Sequence, residues 1–490
     1  MKRWHVVVAV LFFVLNSACS KKDGPAPDKE EQWDYSAEAY LKDSTLYYTK
    51  LLSLWQNYID PRNINDILDS NKVRAITKNF EDSESVLDYL IGQTPTGVNN
   101  QPIDRFSFID REDAVSDEIQ NARVTGFGLS VIYLLPSANA TNADLYVKLV
   151  DRNSAADLAG LKRGDKILSI NGNTNIDYNS QRAKNFADVL NALYSNTITL
   201  KWQTPSNEII EKTLTSTRYN YNPINAAKIF TLDNSNKVGY IAFSSFVSIV
   251  DRNGPTALFS DFEQIFNTFE QQQVKDLIID LRYNGGGDVQ TAEYLANRVA
   301  PASATGKRMY SYKLNTIVQE ELGEYFPAVN FIKRGNLELN KVYFLVTSST
   351  ASASELLINS LAPYMDVQII GSENTYGKPV GFWGTPLKHK NKELTLYVTS
   401  FQMFNANNFG DYFAGLQPNK LANESFSKQL GDETEGFIAE ALNHIRYGSY
   451  SSASKVGARS TDKTTYKLEH QALDIHSKGM FKMHKRSPKL

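Results

Sequence analysis

A single cysteine in 490 residues excludes an intrachain disulfide, so stability has to come from packing. Histidine is nearly as scarce, with six in the chain. Of these, His5 lies in the leading segment, His470, His476 and His484 fall close to the C-terminal end, and neither His389 nor His444 neighbours a nucleophile in sequence. No H-E-x-x-H run occurs, and the thin supply of Cys and His argues against a zinc peptidase. No metal and no cofactor are expected. Charge of one sign is also missing: 52 basic side chains face 54 acidic ones, which leaves no global field to attract nucleic acid. Beyond the leading segment there is no apolar run long enough to cross a bilayer. What remains is an ordinary globular composition, 42% apolar and 22% charged, in a chain long enough for two or three domains.

The first residues are basic (Lys2, Arg3), followed by an apolar run from Val6 to Leu15 and then by Asn16-Ser17-Ala18-Cys19. A basic n-region, a short h-region and small residues describe a secretory signal over residues 1–18. The lone Cys19 directly after them resembles a bacterial lipobox, although Asn16 stands where an aliphatic residue is usual. The resemblance implies an acylated Cys19, a bilayer as partner, and a lipid-anchored place in the bacterial cell envelope outside the cytoplasm. Loss of Lys2 and Arg3 would move the formal charge from −2 to −4. Residues 19–36 have little apolar content and read as a tether.

From 37 to 118 the apolar residues recur at helical spacing, as in Leu46, Leu51, Leu54, Trp55 and Tyr58, and predict an N-terminal helical domain. It closes on Asp104-Arg105-Phe106-Ser107-Phe108-Ile109, a run with no chemistry of its own. Residues 123–218 switch to short β-rich runs with glycine punctuation. They include Gly126-Phe127-Gly128-Leu129 and a longer run from Ser154 to Gly172, which reads as a short helix, a glycine turn, a strand and an Asn-Gly hairpin. This stretch resembles a PDZ domain. The resemblance implies that the amides of Gly126, Phe127, Gly128 and Leu129 receive the C-terminal carboxylate of a polypeptide that adds to the sheet edge; a PDZ fold serving only as spacer or lid is the alternative. From about 236, apolar strands alternate with helices: 238–243, 257–273, 276–281, 288–300, 342–347, 353–364 and 367–370. That alternation predicts an α/β domain over 219–447 with a mainly parallel sheet, one further strand at 394–401 and a closing helix at 434–447. The tail, 448–490, reads as disordered, with nine Lys/Arg against three Asp/Glu from Ser449 onward.

Chemistry concentrates where Val346-Thr347-Ser348-Ser349-Thr350-Ala351-Ser352-Ala353-Ser354-Glu355 joins a strand to a helix. A hydroxyl there meets the unpaired amides and positive end of a helix, an arrangement that suits an oxyanion but equally suits simple N-capping. The turn Thr375-Tyr376-Gly377-Lys378-Pro379 follows the next strand, so Lys378 can approach Ser352. A lysine serves as base only if a dry pocket removes its proton near neutral pH.

The order of helical region, PDZ, Asp280-Leu281-Arg282-Tyr283-Asn284-Gly285-Gly286-Gly287, Ser352-Ala353-Ser354-Glu355 and Gly377-Lys378 resembles the C-terminal processing, or tail-specific, serine peptidases. The resemblance covers residues 37 to about 447 and implies a ClpP/crotonase-like α/β core. It also implies a serine endopeptidase with Ser352 as nucleophile, in preference to Ser354, and Lys378 as general base. The oxyanion hole it implies comes from Gly285, Gly286 and the amide of Ala353, and the substrates are polypeptides taken by their C-termini. Many members carry a glutamine four residues after the lysine, and here that position is Phe382. Glu355 is then the nearest candidate for a third catalytic residue, or the site works as a dyad with Phe382 lining its dry pocket. A catalytically silent PDZ scaffold and a lipophilic-ligand carrier on the same core are the competing readings.

Overall fold

The computed structural model describes residues 36–451, apart from 138, 139 and 234, together with the backbone of 466 and 467. The expected signal segment, Cys19 with most of the expected tether, and most of the tail lie outside the described residues. The described residues from Ala37 onward belong to one compact unit.

Its centre is a six-stranded sheet in the order Lys420–Leu421, Asp366–Gly371, Lys341–Val346, Asp276–Asp280, Lys237–Phe243 and Ile224–Thr231. Every pairing is parallel except the last. The middle strands are apolar on both faces because both faces are covered. Alternate residues (Ile241, Ile279, Phe344, Val346) meet the helices Ala257–Gln271, Val289–Val299 and Ala353–Leu361. The intervening set (Tyr240, Ile278, Tyr343, Leu345) meets Phe437, Ile438 and Ala441 of the closing helix Gly436–Tyr447. The expected α/β core with a PDZ module and N-terminal helices is thus what the chain forms.

A second sheet was not expected. Its spine is the thirteen-residue strand Lys392–Phe404, which pairs antiparallel with Val380–His389, with Arg308–Leu314 and with Phe108–Asp110. Only the middle of that spine was foreseen, because its partners are far apart in sequence and register carries no local signal. The N-terminal helices lie on this sheet: Leu41, Leu87 and Ile91 pack against Leu387, Leu394, Leu396 and Val398. They form a layer of the body, and the segment around Phe108 is one of its strands.

The PDZ region builds its own core around the buried Trp202, under strands Leu129–Leu135, Asp144–Val150, Lys166–Ile170, Thr197–Gln203 and Ile209–Thr215 in sheet order. Ser154 caps the short helix Ala155–Ala159 by accepting from the Asp157 amide at 3.2 Å. Asn171-Gly172 makes a single-bridge turn between Ile170 and Asn173 rather than a hairpin, and the chain then enters helix Tyr178–Arg182. On the outer edge of Leu129–Leu135, the backbone of Tyr466–Lys467 adds antiparallel, opposite Leu135 and Leu134.

A buried ionic cluster joins the PDZ region to the end of the central sheet. Arg282 donates to Asp280 (2.9 and 2.8 Å) and to Glu435 (2.8 Å). Arg163, from the PDZ region, donates to Glu424 (2.5 Å) and to the Lys428 carbonyl (3.0 Å). The Tyr283 hydroxyl also donates to Glu424. Burial works to raise the Glu424 pKa, yet the two guanidiniums hold it at about 2. Removing one partner of such a cluster strands the others without water. Arg282→Met is therefore expected to lose about 3–5 kcal/mol of stability, read from the midpoint of denaturant unfolding.

Candidate active site

Strand Lys341–Val346 runs through the middle of the sheet and delivers its carboxyl end to Thr347–Ala351 and the helix Ala353–Leu361, whose nine residues are all buried. Between them Ser352 holds φ 58°, ψ −113°, a conformation that costs a non-glycine residue about 1–3 kcal/mol. The neighbours that impose it are identifiable. The Ser352 amide donates to Glu355 Oε2 at 2.9 Å and the Ala351 amide to the Asn284 carbonyl at 3.1 Å. The Thr350 hydroxyl donates to the Leu281 carbonyl at 2.8 Å. The result lifts Ser352 to partial exposure at the helix mouth, whereas Ser354 is buried with its hydroxyl donating to Asn284 O and Oδ1 at 3.1 and 3.0 Å. Ser354 is part of the frame; Ser352 is the accessible hydroxyl.

The adjacent strand, Asp366–Gly371, brings in the second group. Its register sets Gly371 beside Val346, so the turn that follows runs next to the Ser352 turn. The Tyr376 amide donates to the Thr350 carbonyl at 2.9 Å. The Gly377 and Lys378 amides each donate to Glu355 at 2.8 Å, and the Thr375 hydroxyl donates to the same carboxylate. Gly377 has φ +84°, and a Cβ there would lie 2.3 Å from the Phe413 carbonyl oxygen, so no other residue fits without displacing that backbone. From the far side, one nitrogen of Arg105 donates to the carbonyls of Tyr376, Gly377 and Phe413 at 3.0, 3.1 and 3.0 Å.

Lys378 is 1% exposed. Its Nζ has no hydrogen-bond partner among the described residues, Ser352 Oγ included, and stands 3.5 Å from the centroid of the Phe382 ring and 5.9 Å from that of Phe106. Burial drives its pKa well below the ordinary lysine value, against the opposing pull of Glu355 and Asp104. Burial also raises Glu355, against the Thr375 hydroxyl and the amides of Lys378, Gly377 and Ser352. Glu355 reaches Lys378 through its backbone, not through its amine.

The glycine run after strand Asp276–Asp280 passes against the Ser352 turn. A Cβ on Gly286 would fall 2.8 Å from Ser352 Cβ and 3.0 Å from the Ala353 nitrogen. In this state the Gly286 amide donates to Asn284 Oδ1 at 2.9 Å, while Ala353 opens the helix, where an amide has no intrahelical acceptor. Gly285 lies between Asn284 and Gly286. The Gly126–Leu129 loop leads from a separate two-stranded ribbon, in which Gly126 pairs with Thr217, into the first strand of the PDZ sheet, and the carbonyls of Phe127 and Gly128 accept from the amides of Ala156 and Asp151 at 2.9 Å. Among the described residues no group of His, Cys, Asp and Glu could hold a metal ion. Sequence reasoning passed over Asp104, Arg105 and Phe106, which carry no motif and reach the Lys378 turn only because Phe108–Asp110 joins the second sheet. Asp104 is itself buried, accepting from Thr399 Oγ1 at 2.9 Å and Ser107 Oγ at 2.7 Å.

A parallel α/β core with a serine at a helix mouth, a dry lysine at the adjacent strand end and a PDZ module defines the class of protein. Residues 237–419 match the family model of peptidase family S41, and residues 146–203 match that of the PDZ domain. The chain thus carries a stretch similar to peptidase family S41, preceded by one similar to the PDZ domain. It is 27% identical over 267 residues to the chloroplastic carboxyl-terminal-processing peptidase 3 of Arabidopsis thaliana, covering 53% of this chain and 48% of the relative. It is 27% identical over 255 residues to the carboxy-terminal processing protease CtpB of Bacillus subtilis, covering 50% and 46%. The chain thus spans about half the length of the curated relatives it matches. A solved structure from Bacteroides fragilis, assigned by name to the S41 proteases, shares the fold with a TM-score of 0.63 at 23% identity, over 87% of this chain and 99% of that one.

The buried amine has a stability consequence whose sign follows from linkage. Because the folded pKa of Lys378 lies below its unfolded value of about 10.4, the unfolded chain binds more protons between the two. Native stability contributed by this group therefore rises with pH across that window, and below it the protonated amine penalises the fold. Lys378→Met removes the penalty. It is expected to raise the thermal midpoint at neutral pH by a few degrees and to flatten its rise towards alkaline pH, as calorimetry would show.

Proposed function

We propose that this chain is a serine endopeptidase of the C-terminal processing type, with Ser352 as nucleophile and Lys378 as general base, acting on polypeptides that its PDZ domain holds near their C-termini. The observation that carries the reading is the pairing of a strained, accessible Ser352 with an apolar-buried lysine on turns that share one carboxylate. In the resting arrangement the amine and hydroxyl are not hydrogen-bonded, and such contacts commonly tighten only when substrate closes the site.

Ser352 Oγ forms a bond to the scissile carbonyl carbon as its proton passes to Lys378 Nζ. Collapse of the tetrahedral intermediate breaks the C–N bond, and Lys378 returns the proton to the departing amine. Water then adds to the acyl-enzyme ester, Lys378 accepts its proton, and cleavage of the ester restores the proton to Ser352. The Ala353 amide and an amide of the Gly285-Gly286 run are the donors for the oxyanion, each contributing about 3 kcal/mol. For Gly286 this requires release from Asn284. Glu355 serves as a positioning residue that holds both turns, which replaces the expectation of a third catalytic group acting on the amine.

Substrate capture is read from the Leu129–Leu135 edge. That edge takes up the antiparallel backbone of Tyr466–Lys467, the same kind of pairing a substrate strand would make, with the Gly126–Leu129 loop at its far end as carboxylate receptor. Cys19 completes the proposal as the acylated residue that ties the mature chain to the bacterial envelope; Cys19→Ser is expected to release it from the membrane fraction.

With a denatured polypeptide bearing an apolar C-terminal tail, Ser352→Ala and Lys378→Ala are each expected to lower kcat/KM at least about 1,000-fold. Equal cleavage by all three forms defeats the dyad, and binding without cleavage by any of them favours the silent scaffold. Amidating the substrate's C-terminus should raise KM and leave kcat nearly unchanged, since it removes a remote contact. An unchanged KM removes carboxylate capture.

A further inference from the structure

We propose that Phe382 is a positioning residue of this site, its ring face holding the Lys378 amine in an aromatic pocket that Phe106 helps to close. The mechanistic consequence rests on the peptidase reading above; the placement of the amine does not.

Three observations lead there. First, Nζ lies 3.5 Å from the Phe382 centroid, close enough for the ring to take an N–H or an ammonium on its π face. Second, the charged groups that face the amine are committed elsewhere. Glu355 is filled by the amides of Ser352, Gly377 and Lys378 and by the Thr375 hydroxyl. Asp104 accepts from Ser107 and Thr399, and Arg105 spends its donor on the carbonyls of Tyr376, Gly377 and Phe413. Third, the ring is itself braced. Phe108 meets it edge-on with centroids 5.7 Å apart, Tyr397 does the same at 6.1 Å, and those two rings stack on one another at 4.7 Å.

The chemistry of a ring face differs from that of any polar alternative. A carboxylate beside the amine would keep it protonated, and an amide oxygen would hold it by a directional hydrogen bond. A ring attracts the N–H side weakly and carries no formal charge. The amine can then lose its proton in the dry pocket while staying fixed by a face that does not compete for its lone pair, which is left to accept from the serine hydroxyl. Phe108 belongs to the strand, and Phe106 to the run just before it, that joins the N-terminal helices to the second sheet. That region thereby becomes part of the active-site wall.

The test compares Phe382→Leu with wild type and with Phe382→Tyr, which restores a ring. Two measurements are made on the full chain: the pH titration of the Lys378 carbon-13 Cε signal, assigned by its loss in Lys378→Met, and the pH profile of kcat/KM. Losing the ring removes an attraction for the ammonium. Phe382→Leu is accordingly expected to shift the Lys378 midpoint to lower pH by up to about one unit. In the same variant kcat should fall about 10-fold with KM little changed, and Phe382→Tyr should recover both. If Phe382→Leu unfolds, Phe382→Met keeps the volume and apolar character without a ring face and is read the same way. A Lys378 midpoint and kcat identical to wild type in the ringless, folded variant overturn the proposal. A midpoint that moves in a chain that cleaves nothing supports the ring's role while removing the peptidase reading.

Discussion

Everything at the proposed site depends on one buried carboxylate. Glu355 sits in the first turn of the helix that Ser352 caps, and it gathers the amide of Ser352 together with two amides and a hydroxyl from the Thr375–Lys378 turn. A carboxylate with several donors in a dry setting is a strong and directional fastener. Parallel strands fix the approximate distance between the two turns, and Glu355 fixes their final orientation. It also explains how a non-glycine residue is kept at positive φ: the Ser352 amide faces an acceptor that cannot move without breaking its other bonds.

The same fastener sets the electrostatics. A carboxylate close to a lysine would ordinarily make an ion pair and a permanently charged base. Here its oxygens are consumed by backbone and hydroxyl donors, the ammonium is given no oxygen to bind, and phenyl rings surround the amine. Burial then decides the protonation state, because desolvation outweighs the distant attraction of Glu355 and Asp104. Arg105 adds a second restraint on the Lys378 turn, and the Asp280–Arg282–Glu435 cluster anchors the base of the glycine run. Rigid support of this kind holds the Ser352 and Lys378 turns in one fixed relation, which is what the proposed pairing requires.

How much of this was legible beforehand depended on the range of the interactions involved. The strand and helix alternation after residue 236 could be read because a parallel strand buried on both faces is an uninterrupted apolar run, as in Val342 to Val346, and its helices cap and terminate locally. The second sheet could not, since Phe108 pairs with Tyr397 and Ser311 with Phe404, and nothing in either segment names its partner. The Asn-Gly step at 171–172 shows the opposite error: the turn chemistry was visible, but the strand expected after it went to a helix because Thr197–Gln203 took that edge of Lys166–Ile170.

By itself the sequence determined the residue types and their order: a hydroxyl at a strand-to-helix junction, glycines where backbones must touch, a lysine one strand further on, and a composition poor in metal ligands. These are local properties, set by propensity, periodicity and chemical identity. Only the tertiary structure decided which serine is accessible, where the Glu355 oxygens point, that the Gly286 amide rests on Asn284, and that Phe106 and Phe382 close around Lys378. Those outcomes depend on distance between segments remote in the chain, and burial and orientation exist only once the sheets have brought the segments together.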